Sequence, residues 1–142
     1  MISNFPLVKA FARAAEMHHA ASGGLLELCK GKSVSLLGTE VIYLCGYVVE
    51  CALKAYLLSQ VSPKQHRVWI EKFKENGHDL DQLLVWLQER RCQLPTSVLV
   101  AYRRVRGKWS SQMRYEAKPL KYDVASKVFD SADMLFQWVS GR

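Results

Sequence analysis

The chain has 142 residues, a formal net charge of +7, and hydrophobic side chains at 49% of its positions. That length suits a single domain, 1–142, and the composition supports a packed core, which excludes a disordered or low-complexity chain. Between 103 and 121, in RRVRGKWSSQMRYEAKPLK, lie seven basic residues and one acidic one, so most of the net charge is in one stretch. Such a run favours an anionic partner, first of all nucleic acid or a nucleotide.

The opening residues MISNFPLVKAFARAAE show no basic start followed by an apolar run, so no signal peptide is expected. A first helix is predicted over 5–29 from Val8, Phe11, Ala15, Ser22, Leu25 and Cys29 at three- and four-residue steps, with a bend at Gly23-Gly24. GKS at 31–33 is not a phosphate-binding loop, because the glycine that motif needs five residues earlier is Leu26.

A second helix, about 35–60, is apolar nearly all round, as a central helix surrounded by others would be. Glu50 and Lys54 lie near its middle, which argues against a membrane span. Residues 64–75 read as a short amphipathic piece with Val68, Trp69 and Phe73 inward, and with His66 and Arg67 solvated. Asn76-Gly77 marks a turn. Asp79 is a good cap for the next helix, with Gln82 three residues on and Leu80, Leu83, Leu84 and Leu87 as its stripe. Pro95 opens another helix. Lys118-Pro119 breaks the chain, and a last helix begins near Asp123. With no strand alternation visible, the fold class is all-α, an up-and-down bundle of four to five long helices. Cys29, Cys45, Cys51 and Cys92 form no C-x-x-C pair and read as free thiols in a reducing cytoplasm. Neither a metal cluster nor a cofactor motif is visible, and none of either is expected.

Glu50 and Lys54, four apart with the acid first, fit an intrahelical pair. In so apolar a helix the pair is partly buried, and desolvation demands further partners. The expectation is a buried polar network around Glu50 and Lys54, structural or positioning a basic residue in a cleft.

YLCGYVVECALKAYLL followed by GHDLDQLL, then RY within WSSQMRYEAKP, resembles the HEPN superfamily of prokaryotic helical proteins over most of the chain. The resemblance implies a helical bundle that often dimerises. Many members are metal-independent ribonucleases of toxin–antitoxin or antiviral systems; others act beside a small nucleotidyltransferase or bind nucleotides or RNA without cutting. The family's ribonucleases place an arginine four to six residues before a histidine in a late helix. Here no histidine follows His78. The one spacing match, Arg13 with His18 or His19, lies in the first helix, where Arg13 and His18 point about 140° apart.

The expected function is therefore RNA or nucleotide binding through Arg103, Arg104, Arg106, Lys108, Trp109, Arg114 and Tyr115, since arginine forks onto phosphate and rings stack on bases. The competing reading makes Tyr102 and Trp109 core anchors beneath a solvated charged face. Two alternatives remain: a ribonuclease with a nonstandard site, His78 with Arg103 or Arg104, and a structural partner of a nucleotidyltransferase. A homodimer, an antitoxin partner, a cytoplasmic location and no membrane association complete the expectations.

Overall fold

The computed structural model describes residues 5–76, 78–115 and 118–142. Among them are six α-helices: α1 (Pro6–Cys29), α2 (Leu37–Ser59), α3 (His66–Asn76), α4 (Leu80–Glu89), α5 (Thr96–Lys108) and α6 (Tyr122–Ser140). The all-α class holds, and the count of four to five long helices is corrected to six, of which α1, α2 and α6 are long. Breakers cut the middle of the chain into shorter pieces: Pro63 opens a single 3-10 turn after α2, and Arg91 closes α4 in the left-handed region with φ 58°.

The hub is α2, which packs against α1, α4, α5 and α6. By length and composition it could cross a bilayer, but 83% of its apolar window is buried by the other helices. A single copy of the chain therefore covers α2, and the helix gives no reason of its own for a dimer. Its C-terminal carbonyls need partners once the helix ends. His66 supplies one: Nε2–H donates to the Leu58 carbonyl at 2.8 Å. His66 is thus buried, which corrects its expected solvation. The same phase corrects Val68. His66, Trp69 and Phe73 form the inward stripe of α3, leaving Val68 exposed.

α1 runs unbroken through Gly23-Gly24. A Cβ at Gly23 would meet the Phe129 ring of α6 at 3.4 Å, an ordinary contact distance. A two-residue antiparallel ladder, β1 (Val34–Ser35) with β2 (Leu120–Lys121), was not foreseen from the pattern. It ties the loop before α2 to the loop before α6, beside the Thr39 hydroxyl, which donates to the Lys118 carbonyl at 2.5 Å.

Candidate functional site

Glu50 sits at the middle of α2, buried with 4% of its surface exposed. A carboxylate in that position needs more than one partner, and it has two. Lys54, one turn on, donates from Nζ to Oε2 at 3.1 Å. His78 donates from Nδ1 to Oε1 at 2.7 Å. The Lys54 ammonium is buried too, between the Phe11 and Phe73 rings at 5.7 and 5.2 Å, so ring faces supplement its ion pair. The second partner is thus an imidazole from the α3–α4 turn.

His78 differs from its partners in being half exposed. Its position follows from local sequence. Asp79 caps α4 by accepting from the Gln82 backbone N–H at 3.0 Å, while Leu80 and Leu83 anchor the helix in the core. The residue before the cap is thereby turned over α2. Tyr47 packs edge-on to the His78 ring at 5.1 Å, and His18 lies against Tyr47 on the other side at 5.6 Å. Burial lowers the His18 pKa below its ordinary value of 6.5, with Glu50 pulling the other way.

Two adjoining hollows share His78. The larger, about 360 Å³, is lined by His78, Asp79, Leu80, Asp81, Arg106, Trp109 and Ser110. The smaller, about 150 Å³, is lined by Tyr47, His78, Ser111, Gln112 and Tyr115. The wall opposite α4 is the segment that leaves α5, and Trp109 pins it. The indole Nε1–H donates to the Tyr43 carbonyl at 3.0 Å, and the ring rests on Gly46. Asp81 closes one end, accepting from the Tyr102 hydroxyl at 2.5 Å and from Arg106 Nε at 3.1 Å. Burial, then the bond to Asp81, raises the Tyr102 pKa.

The basic stretch is split by this geometry. Arg103, Arg106 and Lys108 are exposed on α5, and Tyr115 is 75% exposed beyond it. Arg104 is exposed as well, but it reaches toward α6, its Nη1 donating to Ser131 Oγ at 3.2 Å. Trp109 is only 6% exposed. It is a core anchor and a cleft wall, which corrects its expected role as a stacking platform. The Arg114 side chain lies outside the described residues. Among the described side chains, the arginine that shares a cleft with His78 is Arg106, where Arg103 or Arg104 was expected. Arg13 is exposed on α1, and His18 is packed against Tyr47, so the two do not converge.

A second imidazole–carboxylate pair, His19 Nε2 to Asp133 at 2.8 Å, has its ring stacked on Phe129 and Phe136 and clamps α1 to α6. Among the described residues no three His, Cys, Asp or Glu side chains converge to hold a metal ion. Sequence reasoning missed the Glu50–His78 contact, the Gly46 seat and the Asp81 bridge. The signals present were a histidine beside a helix cap and a glycine within an otherwise bulky helix. Family models, curated proteins and solved structures were all searched, and none matches this chain.

Proposed function

We propose that this chain is a HEPN-like helical protein that binds RNA or a nucleotide through the exposed basic face of α5 and the cleft beside it. The observation that carries this reading is the exposure of Arg103 and Lys108 on α5, next to a cleft bordered by the exposed ring of Tyr115. Phosphates draw on such cations through counterion release, and a ring at the rim offers a face to a base. On the resemblance, its setting is a prokaryotic defence or toxin–antitoxin system. The test is binding of a labelled single-stranded RNA across a salt series. Affinity falls steeply with salt, with a slope of about −0.7 per phosphate neutralised; no binding at low salt removes the reading.

A second reading, a metal-independent ribonuclease, has one observation in its favour: a buried carboxylate orients a half-exposed imidazole in a cleft that also contains Arg106. In that case His78 Nε2 takes the ribose 2′-hydroxyl proton as the oxygen attacks the neighbouring phosphorus, the bond to the 5′-oxygen breaks, and that oxygen takes a proton from water. RNA cutting in the presence of a chelator that disappears in His78→Ala would establish it.

A further inference from the structure

We infer that the cleft beside His78 reads one unpaired guanine base, which it recognises by its two adjacent N–H donors. The inference rests on the RNA-binding reading above and not on the ribonuclease one.

It starts from the tautomer of His78. Glu50 is a buried carboxylate already paired with Lys54, so it acts as an acceptor, and the His78 atom 2.7 Å from it carries a hydrogen. When the ring is neutral, the other nitrogen, Nε2, then holds a lone pair. Beside it, Asp79 lines the same hollow. One Asp79 oxygen accepts the Gln82 N–H, and a carboxylate has further lone pairs to offer. The cleft thus presents acceptors, from two consecutive residues.

The charges agree. Below the floor Glu50 and Lys54 cancel. Around the hollow stand Asp79 and Asp81 against Arg106, which Asp81 already holds at 3.1 Å. Among the described residues, the remaining titratable groups near the ring are Tyr47 and Tyr115, which line the smaller hollow, and His18, whose pKa burial lowers. With His78 neutral, the described side chains that line the larger hollow carry one net negative charge. It repels a phosphate and welcomes N–H donors, while the exposed Arg103 and Lys108 outside it take the backbone. Guanine offers two adjacent N–H groups on its Watson–Crick edge, whereas uracil offers one between two carbonyls.

The experiment compares two labelled RNA hexamers at low salt, one all uridine and one with a single internal guanine. The guanine hexamer is expected to bind about tenfold tighter near neutral pH, the discrimination one paired contact supplies. Asp79→Asn keeps the helix cap. Its carbonyl stays with the cap, so it presents an amide donor to the cleft, and the preference disappears. A thermal melt of Asp79→Asn shows whether the fold survives; if it does not, the comparison of the two hexamers in the unaltered protein decides. Equal binding of the two hexamers near neutral pH overturns the inference while the RNA-binding reading stands. Failure of both hexamers to bind overturns the RNA-binding reading and the inference with it.

Discussion

The Trp109 indole occupies the space that a side chain at position 46 would fill: a Cβ built on Gly46 would overlap Nε1, Cδ1 and Cε2 of the ring. The ring cannot retreat cheaply, because Nε1 is bonded to the Tyr43 carbonyl one turn away. Two effects oppose each other in Gly46→Ala. Alanine improves the helix by about 1 kcal/mol, and overpacking against a fixed ring costs about 1–3 kcal/mol or more. Overpacking wins, so Gly46→Ala destabilises. In a Trp109→Ala background the sign reverses and the same substitution stabilises, although Trp109→Ala alone costs about 3–5 kcal/mol. Urea denaturation of the four members of this cycle measures both signs.

The two arms of Glu50 are unequal. Lys54 is as buried as the carboxylate, whereas His78 is half exposed. Glu50→Ala strands a buried ammonium and is expected to cost about 3–5 kcal/mol, with Glu50→Gln costing less. Lys54→Ala falls in the same range because it leaves the carboxylate with one wet partner. His78→Ala removes a charge-assisted bond near solvent and costs about 1–2 kcal/mol. Equal losses for the Lys54 and His78 variants would contradict this ordering.

α4 ends on Arg91 at φ 58°, with the Cys92 N–H bonded to the Leu87 carbonyl at 2.8 Å. This is a helix-closing turn in which glycine is the usual residue. Arg91→Gly relieves the left-handed strain of a residue with a Cβ, offset by the greater entropy of glycine in the unfolded chain. The relief outweighs the entropy, at about 1–2 kcal/mol against 0.5–1. Arg91→Gly is therefore expected to raise the thermal midpoint, and Arg91→Val to lower it.

Local chemistry was legible in the sequence, and contacts across the bundle were not. The Asp79 cap shows in the spacing to Gln82, and the centrality of α2 shows in its uniform hydrophobicity. The burial of Glu50 and Lys54 follows from that same hydrophobicity. His78 lies 28 residues from Glu50, and no periodic signal spans a turn of that kind. His66 was misplaced because its value comes from a carbonyl at the end of another helix. Val68 was misplaced because a short helix carries too few apolar residues to fix its phase. The basic stretch looked uniform by composition. In space, α5 sends Arg104 and Arg106 about 160° apart, so one is tied to α6 and the other to α4.

The thiols and His18 bound the pH range of stability. Burial pushes the Cys45 thiol from its ordinary 9.0 up to about 12, against a weaker opposing hydrogen bond from Ser22. Burial, then Glu50, pushes Cys51 up to about 12 as well, with Lys54 opposing. A raised pKa means that the unfolded chain loses these protons first. Their contribution is therefore whole below about pH 9 and drains away as pH rises toward 12. His18 is shifted down, so its contribution is present above 6.5 and is lost as pH falls below its lowered value. Chemical denaturation across pH is expected to show a plateau between these limits. In Cys45→Ala/Cys51→Ala the alkaline fall is shallower, and in His18→Gln the acid fall is shallower.

The exposed cations of α5 differ in what already holds them. Arg103 and Lys108 are exposed and have no ion pair within the described residues, so each is available to a phosphate. Arg103→Ala/Lys108→Ala is expected to weaken RNA binding for every sequence alike. It should also flatten the salt slope by about 0.7 for each phosphate no longer neutralised, with little change in the thermal midpoint. Arg106→Ala acts differently, because its guanidinium is held by Asp81 across the mouth of the cleft. Both partners are about half exposed, so their ion pair adds under about 1 kcal/mol to stability. Arg104→Ala lowers stability, by about 1 kcal/mol, through the missing bond to Ser131 between α5 and α6. A salt slope left unchanged by Arg103→Ala/Lys108→Ala would mean that these two cations do not meet phosphate, and the α5 binding face would have to be abandoned.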